Sequence, residues 1–500
     1  MATSDEKPAD KKPAAKPAGG RPASTRPVRP SAAADPDAKP VGKQAQAAAR
    51  VAEEEAKKAQ ASATGRPLAP TASPAATVAP AGAETPRQVR VDHTPEAAPK
   101  DIAAAAAAAP SPVFTQVIKK RPGPIALVTI GLIVATIAIV LIAAYFLLAL
   151  GPTLTVLGGV LALVPLTIVL LGIRWIDRWE PEPRSGLIFA FLWGAGMAVL
   201  LALIVDFNVS EAIASGGGAT NGTIVLQTVV QAPIVEEIAK GLGVLLIFVV
   251  GRRFFDGPVD GIVYAATVAG GFAFTENIQY FALQIAEAGG IDGSVGEIFF
   301  VRGILSPFAH VMFTAMTGLL IGLAARRGSI LLAIGAFFVG LVPAIALHMF
   351  WNGALFVVYD FYGYYLIVQV PLFALAVLMV FLLRRREAKM TQTHLQEYAN
   401  AGWLNADEVT TLGTPAGRRL ARSWARKHGL SKVMNEYIKD ATHLAFTRNR
   451  IVTGRDRFGS QKDEQVLLYQ VAESRRVLAA SQPKAAAVPA ERAPVQAPGA

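Results

Sequence analysis

The chain has 500 residues, no cysteine, a formal net charge of +11, 52% hydrophobic residues and a mean hydropathy of +0.39. The lack of cysteine excludes disulfides, thiolate-ligated zinc and a thiol nucleophile, so any metal must be held by His, carboxylate or amide groups. The basic residues sit in the tails and in short loops beside apolar runs, which points to anionic lipid and away from nucleic acid as the partner of that charge.

Residues 1–120 are almost all Ala, Pro, Lys, Arg, Thr and Glu. Such a composition cannot bury a core and predicts a disordered cytoplasmic tail. Short helices are expected only at Val51–Gln60 and Ala103–Ala109. No apolar run precedes residue 124, so no cleavable signal peptide is expected.

Residues 121–386 read as a transmembrane domain, because runs of about 20 apolar residues are what a helix needs to cross the hydrocarbon layer. Eight spans are expected, at roughly 125–149, 153–173, 185–206, 224–250, 259–284, 303–325, 329–354 and 362–383. Lys and Arg recur in alternate loops: Lys119 to Arg121, Arg174 to Arg184, Arg252 and Arg253, Arg326 and Arg327, and Arg384 to Arg386. Cytoplasmic loops keep such residues. Eight spans put every basic loop on one side, with both termini cytoplasmic, in a multi-pass protein of the cell membrane. The fold class is therefore all-α and polytopic. Residues 387–480 should form a small soluble helical region on the cytoplasmic side, and residues 481–500 a second disordered tail.

Ionisable groups inside a span are costly and mark function by default. The fourth span contains Glu236, Glu237 and Lys240, the fifth Glu276 and Asn277, the sixth His310, and the seventh His348 and Asn352. At 1.5 Å per residue, Glu276, His310 and His348 lie about 10–12 Å from the outer ends of their spans, with Glu236 at about 18 Å. Four consecutive spans thus place polar groups at similar depth. Residues four apart share a helix face, which allows Glu236 to pair with Lys240, His348 to act beside Asn352, and Phe272 to lie beside Glu276. Gly270 and Gly271 permit close helix contact. Trp175 and Trp179 are read as interfacial anchors. Asp206, Asp260 and Arg302, at span ends, are read as solvated.

The set E236-E237-x-x-K240, F272-x-x-x-E276-N277, a lone His310 and H348-x-x-x-N352 resembles the PrsW family of intramembrane proteases. That family is related to the CAAX-protease and bacteriocin-processing superfamily. The run Asp177-Arg178-Trp179-Glu180-Pro181-Glu182-Pro183 looks like a further family feature. The resemblance implies a peptidase acting on a membrane-bound protein, such as an anti-sigma factor in regulated proteolysis. In that reading Glu236 is the general base for an attacking water. His348 and Asn352 would stabilise the oxyanion. Glu237, Glu276 and His310 would orient the water or, with His348, bind a divalent metal such as zinc. Two alternatives use the same residues: a proton-coupled transporter, and a non-catalytic membrane scaffold.

Overall fold

The computed structural model of the protein describes residues 122–252, 254–455 and 459–481. The expectations for residues 1–120, and for the C-terminal tail beyond Ser481, fall outside the described residues.

Every regular element among the described residues is helical. The elements are α1 (Pro122–Ala149), α2 (Pro152–Ile176), α3 (Arg184–Ser215), α4 (Ala232–Gly251), α5 (Pro258–Ala288), α6 (Gly293–Phe299) and α7 (Ala309–Ala325). They continue with α8 (Ile330–Val357), α9 (Phe361–Asn400), α10 (Ala406–Gly413), α11 (Pro415–Lys427), α12 (Ser431–Val452) and α13 (Ser460–Ala480). The all-α membrane class expected from the sequence is the one observed.

Six helical stretches among the described residues are long and apolar enough to cross a membrane: α1, α2, α3, Gly293–Ala325, α8 and α9. The two expected spans outside this set are the ones that became α4 and α5. Their polar residues explain why: α4 carries Glu236, Glu237 and Lys240 within five positions. The count of eight is therefore not established by apolar length alone.

α5 is the central helix. Its residues from Pro258 to Ala273 are all buried, and it packs against α2, α3, α4 and α7. Glycine makes that density possible. A Cβ on Gly261 would stand 2.0 Å from the Gly318 carbonyl of α7, and one on Gly271 would stand 2.3 Å from the Phe191 carbonyl of α3. Small residues at such crossings are how membrane helices gain contact where the surrounding lipid offers no hydrophobic driving force. The same approach lets Thr275 Oγ1 donate to the Ala195 carbonyl across the α3–α5 contact (2.8 Å). Meanwhile Leu148, Val342, Leu366 and Ile367 remain largely exposed on the bundle's perimeter, as lipid-facing residues should be.

α9 runs without a break from apolar Phe373 through Arg384–Arg386 to Asn400. Its polar end joins α10–α13 around a separate apolar core that includes Leu395, Leu412, Ala425, Leu444 and Ala445. Arg418 fixes this region to the loop after α2. Its guanidinium is 3.5 Å from the Trp179 ring centroid and donates to the carbonyls of Leu412 (2.6 Å) and Trp179 (3.1 Å) and to Thr442 Oγ1 (2.7 Å). Trp179 Nε1 in turn donates to Thr391 Oγ1 on α9. Trp179 is thus buried in this junction instead of anchoring in the bilayer interface, since its ring and its N–H both have protein partners. Trp175 does stay exposed.

Asp260 also differs from the sequence expectation. It is buried, and its Oδ2 caps the start of α5 by accepting the N–H groups of Asp256 (2.5 Å) and Gly257 (3.1 Å). Asp256 receives Arg450 Nη1 at 2.6 Å, a second tie between α12 and the membrane bundle. Glu182 accepts the Tyr264 hydroxyl at 2.7 Å. Burial holds the carboxyls of Glu182 and Asp256 above their ordinary range, and lifts that of Asp177 to about 6.

Candidate active site

Four helices deliver the polar residues. α4 contributes Glu236, Glu237 and Lys240 on successive turns, braced by the Trp193 indole, which donates to the Ala239 carbonyl (2.9 Å). α5 contributes Phe272, Glu276 and Asn277. α7 contributes His310 near its start, and α8 contributes His348.

Lys240 sits at the centre and is fully buried. Its Nζ lies 2.6 Å from Glu237 Oε1, 3.3 Å from Glu236 Oε2 and 3.3 Å from His310 Nδ1. It also lies 4.3 Å from the centroid of the Phe272 ring, whose face favours a cation. The sequence pairs Lys240 with Glu236. The structure adds Glu237 as the nearer partner, reached at i,i+3.

Glu237 has no exposure. Besides Lys240 it accepts the Thr314 hydroxyl (2.8 Å), and its Oε1 lies 3.0 Å from His348 Nδ1. That nitrogen therefore carries hydrogen, which leaves His348 Nε2 free toward Glu236 Oε2 at 3.9 Å. Glu276 treats His310 in the same way. Its Oε2 lies 2.9 Å from His310 Nε2, leaving His310 Nδ1 as the acceptor. The two imidazoles cross edge to face with centroids 5.1 Å apart, and His348 stacks on Phe313 at 4.9 Å. Two carboxylates thus each hold one imidazole in a fixed tautomer; His348 Nε2 faces Glu236 Oε2, and His310 Nδ1 receives the Lys240 ammonium at 3.3 Å.

Sequence reasoning missed one member. Arg302 Nη2 lies 2.8 Å from Glu276 Oε2, Arg302 Nε donates to Asn277 Oδ1 (3.0 Å), and the guanidinium covers the Tyr280 ring at 3.8 Å. It is not a solvated span end. The helix resumes before the expected sixth span, through α6 and a wider π-helical turn at Phe300–Leu305 that turns Arg302 onto α5. The signal was present: Arg302 is the one basic residue in an otherwise acidic loop. Asn352 behaves differently again. Its Nδ2 donates to the Thr228 carbonyl (2.9 Å), tying α8 to the turn before α4 instead of joining His348.

Glu236, His310 and His348 each offer a ligand atom within 4.8 Å of the others. Imidazole and carboxylate are the donors that suit zinc. Imidazoles held by carboxylates through their other nitrogen are the usual support for such ligands. Lys240 Nζ lies 3.3 Å from both Glu236 Oε2 and His310 Nδ1, so a cation at this point would require the ammonium to turn away toward Glu237. Glu237 and Glu276, which the sequence offered as ligands beside His310 and His348, lie against imidazole nitrogens, at His348 Nδ1 (3.0 Å) and His310 Nε2 (2.9 Å).

A bundle of apolar helices around a buried glutamate–histidine cluster defines a membrane protein with a polar centre inside its spans. Residues 182–376 match the family described as PrsW family intramembrane metalloprotease. Curated relatives agree. The chain is 33% identical over 162 residues to Protease PrsW of Clostridioides difficile (strain 630), covering 32% of this chain and 62% of that protein. It is 30% identical over 148 residues to Protease PrsW of Geobacillus kaustophilus (strain HTA426), covering 30% of this chain and 58% of that one. A third, Protease PrsW of Bacillus subtilis (strain 168), is 29% identical over 148 residues, 30% of this chain and 60% of the relative. The chain thus spans about three fifths of the length of these relatives. No solved structure matches the chain at a significant level.

Proposed function

We propose that the protein is an intramembrane endopeptidase that hydrolyses a peptide bond of a membrane-bound protein substrate, with Glu236 as general base. The observation that carries this is the convergence of Glu236 with His310 and His348, each imidazole fixed by its own carboxylate.

Glu236 keeps 9% exposure whereas Glu237 keeps none, so Glu236 is the carboxylate of the pair that a water can reach. It takes a proton from that water as the oxygen adds to the peptide carbonyl. It returns the proton to the amide nitrogen as the C–N bond breaks. His348 Nε2, an acceptor, takes a hydrogen bond from the attacking water beside Glu236, and the buried Lys240 ammonium supports the growing negative charge nearby. Arg302 holds Glu276, and through it His310. Asn352 acts by tying α8 to the α4 approach. If a divalent ion were held by Glu236, His310 and His348, it would supply Lewis acidity toward water or carbonyl oxygen, and Glu236 would then serve as its ligand instead of as the base.

Glu276, His310 and Arg302 retain 18%, 13% and 23% side-chain exposure. Water and substrate therefore enter from the α5–α6 side, which the charge alternation makes the outer one, with both termini cytoplasmic. The PrsW resemblance makes a membrane-bound anti-sigma factor the candidate substrate. The test is cleavage of single-span membrane proteins by the protein reconstituted in lipid. Cleavage by the wild type and none by Glu236→Gln supports the reading. Equal cleavage by both removes Glu236 from its role.

A further inference from the structure

Away from the intramembrane cluster, a cavity of about 790 Å³ opens between the loop after α2, the length of α11 and the first turns of α12. Arg178, Arg419, Leu420, Arg422, Ser423 and Arg426 line most of it. Positions 419, 422, 423 and 426 follow helical spacing, so α11 presents three guanidiniums on one face. Arg178 supplies a fourth from the opposite wall. Buried Arg418, locked onto Trp179, fixes the two walls relative to each other.

None of these four arginines has an acidic partner among the described residues. Arg422 Nε donates to Asn435 Oδ1 (3.1 Å), a neutral acceptor. Burial and the charge of Arg178 hold the Arg422 guanidinium below its ordinary range. Other partly buried arginines do find acids: Arg448 with Glu397, Arg450 with Asp256, Arg475 with Glu408. A groove that gathers four guanidiniums and supplies no counter-charge is built for an anion, and guanidinium forks suit phosphate oxygens above all.

Its location selects the source of that phosphate. Arg178 lies two residues beyond Ile176, where apolar α2 ends. Trp175, exposed and capped by the Arg384 guanidinium at 4.5 Å, marks the level of the bilayer surface on this side. Arg384 Nε itself has no hydrogen-bond acceptor. Leu420, among the arginines, is 73% exposed, an apolar side chain that suits the glycerol and upper acyl region of a lipid better than it suits water.

We propose that this groove binds the phosphate headgroup of an anionic phospholipid, and so seats residues 387–480 on the membrane surface. The proposal is independent of the peptidase reading. The full chain is reconstituted in phosphatidylcholine vesicles carrying cardiolipin, gently extracted, and the cardiolipin retained per protein is counted by native mass spectrometry. The triple variant Arg419→Gln, Arg422→Gln, Arg426→Gln should lower the apparent lipid affinity roughly 100-fold, and Arg178→Gln alone about fivefold. Arg385→Gln, at the same membrane face but outside the groove, should leave retention unchanged. If the triple variant does not fold, Arg178→Gln against Arg385→Gln decides. Equal retention by all the proteins overturns the proposal. So does inorganic pyrophosphate that displaces the lipid from the groove at comparable concentration, because the site would then read a soluble anion.

Discussion

The protein contains two buried ionic assemblies, one in the α4–α5–α7–α8 bundle and one at the junction of the α2 loop, the start of α5 and α11–α12. Both gather carboxylates and cations away from water. They differ in where the lone pairs and N–H groups go. At the junction, Arg418 is used up on two backbone carbonyls and a threonine, Asp260 caps a helix, and Arg450 closes on Asp256. In the bundle, Glu237 and Glu276 each fix an imidazole, and both imidazoles and Glu236 gather around the Lys240 ammonium with ligand atoms within 4.8 Å of one another. The same residue types lock an interface in one place and leave reactive atoms around a shared point in the other. Buried charge alone therefore does not distinguish the two assemblies; the convergence of glutamate and imidazole atoms on one point does.

Mutations sharpen this contrast, and the largest effect is expected at the bundle's central charge. Lys240→Met strands Glu236 and Glu237 as buried, unpaired carboxylates and should cost about 3–5 kcal/mol of stability. Adding Glu237→Gln should recover part of that loss, read as thermal melting in detergent. If Lys240→Met melts like the wild type, the ammonium does not hold the cluster together.

At the junction, Arg418→Gln removes the stacked guanidinium and leaves carbonyl acceptors unmet, a loss of about 3 kcal/mol. The expected sign is rapid tryptic release of residues beyond α9 with peptidase activity of the membrane bundle retained. Unchanged protease resistance would show that Arg450 and the apolar contacts suffice.

Arg302→Gln tests whether the arginine works through Glu276 and His310. Removing such a supporting partner lowers activity about 10- to 100-fold. Melting should move little, because Arg302 is partly exposed. Arg302→Lys should restore part of the rate, whereas a purely structural role would move melting and rate together.

The smallest effect concerns pH. Burial raises the folded-state pKa of Asp177 to about 6, above its ordinary 3.8. The folded protein therefore binds the extra proton between those values, and stability is highest below that window and declines as pH rises through it. Wild-type melting temperature should fall from pH 4 to pH 6 more steeply than that of Asp177→Asn. Parallel curves would assign the slope to other groups.

The membrane class and the four polar helices were legible in the sequence because apolar length and intramembrane charge are local signals. So were the residues of the cluster, since Glu236, Glu237, Lys240, Glu276, His310 and His348 announce themselves by being costly there. The pairings were not legible. Helix spacing put Lys240 with Glu236, but whether it leans on Glu237 depends on Thr314 and His348, which arrive from other helices. Asn352 shares a face with His348, yet its amide is taken by Thr228, nowhere near it in sequence. Trp179 resembles an interfacial anchor by position, and only the docking of Arg418, far along the chain, makes it a buried joint.

The most direct test of the account separates the two adjacent carboxylates. Cleavage of a single-span substrate in vesicles is followed for wild type, Glu236→Gln and Glu237→Gln at matched folding. The account predicts a loss of about 10²–10⁴-fold for Glu236→Gln, as for removal of a general base. For Glu237→Gln, which only orients His348, it predicts a smaller loss of about 10- to 100-fold. Wild-type rates for Glu236→Gln, or a deeper loss at Glu237 than at Glu236, would contradict it.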